Sequence, residues 1–465
     1  MKLILRQPEK KEEKQSTGKL SIRWDLEEPK IALTPPNNFL RVDVEFRDPP
    51  ERVYARVDSV EQVGPNDRER LALLEAVDAG WFNERSTNPE PLDDDEFRAM
   101  PISVLAVMID TTGHQRSRPR ELRRWMIGDW LEVEFGAEPG RMPVHLFHGL
   151  FADPTEMHAT FGRPDAQLKE KLEDAFSLDR IPDASIEKIE HILGKGDGVA
   201  CLNVFDVGQG NAIGFSRRKK TPTLYFDFGG GVLSNKRTFP RVSPINCLTA
   251  APAIVLSHWD WDHWSSGMRV PNAALDCDWL VPRQKLGGVH RTFANELIKR
   301  GRLHVWPISL PALSVGQITV ERCTGRDQNN SGLAMIVATP RRAKKRGKVL
   351  LPGDADYCSI PSANNGPPFS GIVASHHGSR LTSIAMAAAP KSGGTLVYSY
   401  GSGNTFGHPR LQSQLEYLQA GWKPGNTWST TQSVMRRPSN IGISLTTERP
   451  RLHCLNCSPR YTTQI

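Results

Sequence analysis

The first part of the chain alternates between apolar and polar positions in several short stretches. Leu40–Phe46 and Val53–Val60 show the period of two that is typical of half-buried strands. Ile102–Ile109 is a continuous apolar run, which favours a fully buried strand, and Trp125–Phe135 is a further strand candidate. These stretches predict a sheet-containing unit at the start of the protein.

Two other stretches of this region predict helices. Arg68–Ala79 is expected to form a short helix that stops at Gly80, and Asp165–Phe176 a second one. Asn88–Glu96 is rich in Pro and Asp and predicts a loop. Residues 1–18 are polar and charged and predict a disordered tail. Residues 19–177 are thus interpreted as an α+β domain of no recognised family, with a docking or regulatory role, and 178–197 as a linker.

After residue 198 the pattern changes to many short apolar runs separated by Gly, Pro and Ser. A helix is expected at Pro409–Leu418. Many strands with few helices favour two sheets packed face to face, with helices outside, over residues 198–450; residues 451–465 form a C-terminal extension. The runs typical of strands are Ala200–Phe205, Thr223–Phe228, Ala253–Leu256, Trp279–Val281, Leu303–Trp306, Leu333–Ala338, Val349–Leu351, Gly371–Ala374 and Leu396–Tyr400.

Charge divides the chain in two. Residues 1–195 contain 28 basic and 38 acidic residues, a net charge of −10, whereas the remainder contains 31 basic and 14 acidic residues, a net charge of +17. Such asymmetry indicates a polyanionic partner for the second half, or docking of the two halves on each other. The alternative is that the basic residues only solubilise the surface.

Several classes of protein are disfavoured by the composition. The opening Met1–Arg6 contains too few apolar residues for the core of a signal peptide. No stretch of the sequence resembles a membrane span. We therefore expect a cytoplasmic protein without a membrane partner. The 7 cysteines are an odd number in a long chain, which argues against a disulfide framework. The lone Cys454–Cys457 pair is interpreted as incidental.

The strongest chemical signal is the loop that follows the apolar strand Ala253–Leu256. His258, Asp260, Asp262 and His263 provide four metal-ligand side chains within six residues. A tight loop at a strand end can turn these groups toward one point, and mixed nitrogen and oxygen ligands suit a divalent ion such as Zn²⁺ or Mn²⁺. The alternative, a solvated turn, leaves this concentration of ligands unexplained.

This loop is similar to the H-x-H-x-D-H signature of the metallo-β-lactamase superfamily, with Asp260 in place of the second His. Within the superfamily the sequence resembles the ComEC type, the hydrolase domain of bacterial DNA-uptake channels and its free-standing relatives. The other motifs that carry the resemblance follow in order over about residues 198–450: Asp206–Ala212, Asp227–Gly229, Asn329–Ser331, Leu350–Asp354, Ile372–Ser379 and Gly407–Pro409.

The resemblance implies an α/β fold, the metallo-β-lactamase αββα sandwich, and a centre of two divalent metal ions. His258, Asp260 and either His376 or His377 would hold one ion, with a preference for His376; Asp262 and His263 would hold the other. Asp354 would bridge the ions, and His408 would be a ligand or an acid on the substrate side. Asp262, Asp354 and His408 are the residues expected to take part in catalysis.

Asp260 replaces a neutral nitrogen ligand by an anionic oxygen. The change favours Mn²⁺ or Mg²⁺ over Zn²⁺ relative to the all-histidine pattern. It is also compatible with a weakened or single-metal centre. The presence of every other motif favours a working site.

Side chains around the motifs are candidates for substrate binding. Trp259, Trp261 and Trp264 interrupt the metal loop; at least one is expected to pack beneath it, and any that face outward could stack on bases or sugars. Asn330 and Ser379 are further candidates. Basic runs at Arg217–Lys220 and Arg341–Lys348 are expected at hairpin tips, either simply solvated or following a phosphate backbone.

Three functions are consistent with these observations. The leading one is a metal-dependent phosphodiesterase or nuclease acting on nucleic acid, with a weak analogy to bacterial defence or DNA processing. The second is a hydrolase of a small phosphodiester, such as a cyclic nucleotide, or of an ester or amide; a deep pocket with the basic tips pointing away would favour it. The third is a degenerate centre in a binding subunit whose acidic half recruits a protein partner.

Overall fold

Two sheets and a closed barrel form the framework of the protein. The computed structural model describes residues 50–63, 69–86, 96, 100–110, 124–138, 141–217, 221–240, 247–269, 271–340, 347–365, 368–387, 389–391, 393–426, 440–445 and 462–464. The predictions for residues 1–18, Leu40–Phe46, the loop up to residue 95 and the pair Cys454 and Cys457 lie outside these ranges. All described residues belong to one compact unit, Pro36–Ile465.

Six antiparallel strands close the barrel in the order β1-β2-β3-β5-β6-β4, and β4 pairs with β1. Apolar side chains such as Val57, Leu74 and Leu146 fill its interior. The helix α1 (Ala79–Ser86) follows β2, and α2 (Ala166–Phe176) follows the barrel. The strands are β1 (Arg52–Val63), β2 (Glu69–Asp78), β3 (Ile102–Asp110), β4 (Trp130–Phe135), β5 (Met142–Phe147) and β6 (Pro154–Gly162).

The prediction of a helix over Arg68–Ala79 was wrong, because Glu69–Asp78 is the strand β2. Ala72, Leu74 and Ala76 face the barrel interior, whereas Leu71 and Leu73 pack outside the barrel. A strand buried on both faces loses the apolar–polar alternation by which strands are recognised. The helix predicted at Asp165–Phe176 is confirmed, and the Asp165 side chain accepts a hydrogen bond from the Leu168 N–H as its N-cap.

The second part of the chain forms two mixed sheets. One has the order β12-β11-β10-β9-β8-β7-β20-β21 and the other the order β13-β14-β15-β16-β17-β18-β19. Their strands are β7 (Cys201–Val204), β8 (Ala212–Ser216), β9 (Pro222–Phe228), β10 (Ala253–Val255), β11 (Trp279–Val281), β12 (Leu303–Val305), β13 (Ala312–Val315), β14 (Ile318–Arg322), β15 (Leu333–Ala338), β16 (Lys348–Leu351), β17 (Gly371–Val373), β18 (Gly394–Tyr398), β19 (Trp422–Asn426), β20 (Asn440–Ser444) and β21 (Thr462–Gln464).

Every apolar run predicted as a strand after residue 198 coincides with one of these strands. The two sheets share one core, in which Phe215 and Phe226 of the first sheet cluster with Val320 and Met335 of the second. Burying one face of each sheet against the other is the main apolar contact that stabilises this part of the protein.

Helices and the barrel cover the remaining faces. Outside the first sheet, Phe293 of a helix clusters with Leu71 and Leu73 of the barrel. Outside the second sheet, helices pack on a cluster that contains Tyr357 and Tyr417. The helices are α3 (Ile186–Gly194), α4 (Trp261–Trp264), α5 (Ser266–Arg269), α6 (Pro271–Ala274), α7 (Gly288–Lys299), α8 (Pro361–Asn365) and α9 (Leu411–Gln419), with 3₁₀ turns at Leu233–Thr238, Asn329–Ser331, Tyr357–Ser359, Ser375–Gly378 and Ile384–Ala387.

The stretch predicted as a linker, 178–197, contains α3, which the sequence analysis missed. Ser185 caps the helix by accepting a hydrogen bond from the Lys188 N–H. Ile189 and Ile192 are fully buried in the core that the two sheets share. This segment therefore packs as part of the second half of the chain. None of the helices in the described ranges is both long and apolar enough to cross a membrane.

Buried charged groups join the barrel to the first sheet. His290 of α7 has its Nε2 atom 2.9 Å from Asp58 Oδ1 and 3.0 Å from Glu75 Oε1. Glu75 also accepts hydrogen bonds from Trp261 Nε1 at 2.8 Å and from the Val289 N–H at 3.1 Å. We call Asp58, Glu75 and His290 the docking cluster.

Burial raises the pKa of Glu75 to about 7. Burial alone would lower the pKa of His290, but the carboxylates of Glu75 and Asp58 raise it overall. A group whose pKa is raised by folding stabilises the fold while it is protonated, and that contribution is lost as pH rises through the folded-state pKa. The docking cluster therefore stabilises the barrel contact more at acidic than at alkaline pH.

Replacement of Glu75 by Gln is expected to flatten the dependence of the melting temperature on pH. The melting temperature of the wild type should fall between pH 5.5 and 8.5, whereas that of Glu75→Gln should start lower and fall less. A difference of about 1 kcal/mol corresponds to roughly 2–4 °C in a domain of about 150–250 residues and to a smaller shift in a longer chain such as this one. Glu134→Gln, on the exposed side of β4, is the matched control. Equal slopes in the three proteins, measured by differential scanning fluorimetry, would contradict this role.

Candidate metal centre

The predicted metal loop connects β10 to the short helix α4. Asp260 is the N-cap residue of α4, so Asp262 and His263 lie in its first turn. The carbonyl oxygen of Asp262 accepts hydrogen bonds from the N–H groups of Asn211 and Gly230, each at 3.0 Å. A side chain at Gly229 would overlap this carbonyl group, which explains a glycine at the end of the Asp227–Gly229 motif.

The buried carboxylate of Asp227 accepts hydrogen bonds from several residues of the candidate centre. Its Oδ2 atom accepts hydrogen bonds from His263 Nδ1 at 2.8 Å, Asn211 Nδ2 at 2.9 Å and Ser257 Oγ at 3.0 Å. Its Oδ1 atom accepts one from the Ser257 N–H at 2.7 Å. Ser257 Oγ lies 3.0 Å from His258 Nδ1 and accepts a hydrogen bond from its N–H, since the hydroxyl hydrogen is already donated to Asp227.

These contacts leave the Nε2 atoms of three histidines available as ligands. The Nδ1–H of His377 donates to the Ser399 carbonyl oxygen at 2.8 Å. In the described part of the chain, the buried Nε2 atoms of His258, His263 and His377 make no hydrogen bond. An imidazole whose Nδ1–H is held by a carbonyl or carboxylate oxygen is the arrangement typical of a metal ligand.

Carboxylates complete the ligand set. Asp354 Oδ1 lies 3.0 Å from His263 Nε2, Asp260 Oδ2 lies 3.1 Å from His258 Nε2, and Asp262 Oδ2 lies 3.2 Å from His377 Nε2. Burial would raise the pKa of the Asp354 carboxyl, but the charges of His263, His376 and His377 hold it well below its ordinary value. Buried acceptors of both kinds, in nearly direct contact with one another, fit divalent metal ions.

The groups that meet at ligand distance differ from the division predicted from the sequence. Besides the docking cluster, one group contains His258, His263 and Asp354, and another contains Asp262, His263 and His377. His263 therefore belongs to both groups, and His377 joins Asp262 rather than His258 and Asp260.

Of the two adjacent histidines, the geometry favours His377 as the ligand, whereas the sequence analysis preferred His376. His376 Nε2 lies 3.1 Å from Glu61 Oε1 of the barrel and 3.5 Å from Asp354 Oδ2. Both histidines have positive φ angles, 49° and 53°. In this left-handed turn the two rings diverge, so that one faces the carboxylates of the centre and the other the barrel.

His408 lies at the edge of the centre. Both of its ring nitrogens are buried, and neither makes a hydrogen bond within the described residues. Its Nε2 atom is 4.0 Å from Glu61 Oε2, and it lies outside both ligand groups. Burial lowers the pKa of His408 well below its ordinary value, and the charges of His376 and His377 lower it further. The neutral imidazole therefore offers one donor and one acceptor beside the metal ligands.

The three tryptophans of the loop are all buried, with at most 3% of each side chain exposed. Trp259 Nε1 donates to the Pro282 carbonyl oxygen, Trp264 Nε1 to that of Trp259, and Trp261 Nε1 to Glu75. Trp259 and Trp264 thus anchor the loop and present no ring face on which a base could stack. Trp261 alone of the three lines the cavity described below.

Asn330 and Ser379 have local structural contacts. Asn330 Nδ2 donates to both carboxylate oxygens of Asp327 at 3.0 Å, and its Oδ1 accepts a hydrogen bond from the Asp356 N–H. The Ser379 carbonyl oxygen accepts a hydrogen bond from Ser413 Oγ. Neither is among the described residues that line the cavity.

A cavity of about 600 Å³, counting its open mouth, opens onto the metal ligands. Its lining includes barrel residues that the sequence analysis did not connect with the site, above all Glu61. Gln328 was also missed; its Nε2 atom donates to Asp260 Oδ1 at 2.9 Å. Glu61 lies in an ordinary alternating strand, and its sequence surroundings carry no signal of a functional role.

Comparison with known proteins gives little guidance. No protein-family model and no curated protein sequence matches the chain. Among solved structures, it is similar to the crystal structure of the metallo-beta-lactamase GOB-18 from Elizabethkingia meningoseptica, with 13% sequence identity and a TM-score of 0.22. This match covers 48% of the present chain and 89% of that chain. A similarity this low assigns the chain to no family, so its function is inferred from the residues of the site.

Proposed function

We propose that this protein is a metal-dependent hydrolase of the metallo-β-lactamase type and that it cleaves phosphodiester bonds. One observation carries the proposal. Three buried imidazole Nε2 atoms converge with three carboxylates, and each Nδ1 atom is held by an oxygen outside the ligand set. Such an arrangement has no role in packing, whereas it suits the binding of metal ions.

The position of the motifs in the fold supports the same proposal. The loops after β10, β16 and β17 carry His258 to His263, Asp354 and His377. All three strands end at the same edge of the two sheets, where these loops meet. Three of the motifs on which the resemblance rests therefore lie at one site, which agrees with an αββα metallo-β-lactamase fold.

The ligand chemistry supports phosphodiester hydrolysis. Asp260, Asp262 and Asp354 supply hard oxygen ligands beside the three imidazoles, a set that suits Mn²⁺ or Zn²⁺. Divalent ions in such a centre activate water and stabilise the charge of a phosphoryl group during in-line displacement. In the overall reaction, the water oxygen forms a new P–O bond, one ester P–O bond breaks, and a water proton goes to the leaving alcohol.

Residues of the chain position the substrate and exclude water. The neutral His408 imidazole can donate a hydrogen bond to a phosphoryl oxygen from the rim of the centre. Phe406 and Trp261 line the cavity beside the ligands and limit the access of bulk water. The net charge of +17 after residue 195 favours nucleic acid as the substrate, whereas the lining of the cavity favours a smaller phosphodiester.

Combined replacement of Asp262 and His263 by Ala is expected to abolish metal binding and catalysis together. Protein purified without chelator should contain divalent metal by mass spectrometry. It should hydrolyse bis(p-nitrophenyl) phosphate in the presence of Mn²⁺, and the double variant should show neither property. The matched control replaces the exposed pair Asp276 and His145 by Ala and should retain both.

Two outcomes would contradict this prediction. Absence of metal from the wild type, even after incubation with Mn²⁺ or Zn²⁺, would indicate a degenerate centre in a binding protein. Metal binding without hydrolysis of phosphodiesters, together with cleavage of p-nitrophenyl acetate, would move the assignment to an esterase.

Asp227→Asn is expected to weaken metal binding without removing a ligand. An amide accepts fewer hydrogen bonds than a carboxylate, so it cannot hold His263, Ser257 and Asn211 as Asp227 does. Loss of such a supporting residue typically weakens metal binding by about 10–100-fold. Competition with a chromophoric chelator measures the affinity.

Asp276→Asn, an exposed residue paired with Arg300, is the matched control and should bind metal like the wild type. Unchanged affinity in Asp227→Asn, in a variant that unfolds at the wild-type temperature, would show that Asp227 serves the fold alone.

A further inference from the structure

Residues of the barrel form one wall of the cavity. Asp58, Ser59 and Glu61 of β1 and Leu71 and Leu73 of β2 line the same space as the metal ligands. Although Glu61 and His376 are separated by more than three hundred positions in the sequence, their side chains lie 3.1 Å apart. We call Asp58, Ser59, Glu61, Leu71 and Leu73 the barrel wall.

The register of β1 and β2 explains why these side chains share one face. Ser59 pairs with Leu73 and Glu61 with Leu71, so the four alternate positions lie on the outer face of the barrel. The register shifts between Val57 and Ser59, which makes Asp58 an extra residue in β1. Val57 still points into the barrel, and the shift turns Ser59 and Glu61 outward toward the metal ligands.

The lining of the cavity is acidic and apolar. Among the described residues that line it, five are carboxylates and none is Lys or Arg. Two divalent ions would neutralise most of this charge and leave room for one anionic phosphoryl group. A polynucleotide would bring further phosphates against Glu61 and Asp58, and no Lys or Arg among the described lining residues is placed to bind them. The apolar lining residues are Leu71, Leu73, Val232, Leu233, Trp261 and Phe406.

Ser216 and Ala338, which precede the two basic runs in the sequence, lie at the strand ends away from the candidate metal centre. The end of the β8–β9 pair where Ala212 pairs with Phe228 lies next to the candidate metal centre. At the other end Ser216 pairs with Pro222, and Arg217 follows Ser216 in the sequence. The length of the five-residue β8 places that end roughly 15 Å from the centre. Likewise, Ala338 is the last residue of β15, and it pairs with Lys348, the first residue of β16. Asp354 follows the other end of β16. Arg217 and Lys348, the described cations at these strand ends, are therefore poorly placed to bind a chain of phosphates in the cavity.

We propose that the barrel wall selects a small phosphodiester with an apolar ester group and excludes nucleic acid. The proposal rests on the proposed hydrolase function and adds the substrate class. Metal ions held by the candidate ligands would bind the phosphoryl group, Leu71 and Leu73 contact the apolar group, and the Glu61 carboxylate disfavours additional phosphates. The residues that line the cavity therefore combine acidic metal ligands with an apolar wall, as a single small phosphodiester with an apolar ester group requires.

The first part of the test compares substrates. Metal-loaded wild type should hydrolyse bis(p-nitrophenyl) phosphate with a kcat/KM at least about 10-fold above that for methyl p-nitrophenyl phosphate, and the difference should lie in KM. A labelled single-stranded oligonucleotide should be cleaved far less efficiently than either diester. Cleavage of the oligonucleotide with an equal or higher kcat/KM would overturn the substrate class and leave the hydrolase function in place.

The second part of the test removes the apolar contact. Leu71→Ala should raise KM for the bis-aryl substrate by roughly 10-fold and leave KM for the methyl analogue within about twofold. The methyl analogue reports on folding within the same variant, because a misfolded protein would lose both activities. Leu411→Ala, an exposed leucine of α9, is the matched control and should resemble the wild type. Equal effects of Leu71→Ala on both substrates would overturn the proposal.

A binding measurement separates this proposal from the hydrolase function. Diphenyl phosphate should bind the metal-loaded protein more tightly than dimethyl phosphate by calorimetry, and Leu71→Ala should remove the difference. That result without any hydrolysis would support the barrel wall and overturn the hydrolase function. Hydrolysis of diesters without any preference for aryl groups would support the hydrolase function and overturn the role of the barrel wall.

Discussion

The hydrogen bonds of the Asp227 carboxylate hold the candidate metal centre together. One buried side chain joins His263 of the metal loop, Ser257 at the end of β10 and Asn211 before β8. Because Ser257 is fixed, it can in turn orient His258. Burial of so many polar groups is unfavourable unless each one finds a partner, so the sequence around Asp227 is constrained as strongly as the ligands themselves.

The barrel is joined to this centre by both charge and apolar contact. Asp58 and Glu75 meet His290 on one side of the β1–β2 ribbon, and Leu71 and Leu73 enter the core of the first sheet on the same outer face. The charge asymmetry of the sequence indicated either a polyanionic partner or docking of the two halves, and the structure shows such docking. The same contact places Glu61 beside His376, which links the position of the barrel to the chemistry of the site.

The strands of the second half were predicted well because they are short apolar runs between turn residues. Their neighbours in the sheets are close in sequence, so local pattern and final structure agree. β2 was mistaken for a helix because it is buried on both faces, and that burial exists only once the barrel has closed and docked. The helix α3 was missed for a similar reason, since Ile189 and Ile192 are buried by strands far away in the sequence.

The sequence by itself identified the side chains that make up the candidate metal centre. His258, Asp260, Asp262, His263, Asp354 and the histidine pair stand at strand ends in a recognisable order, and a strand end fixes where its loop begins. The tertiary structure alone decided that His377 meets Asp262 and His263, that Trp259 and Trp264 are buried, and that Glu61 lines the cavity. Each depends on which surface lies opposite a side chain, and no local pattern of residues contains that information.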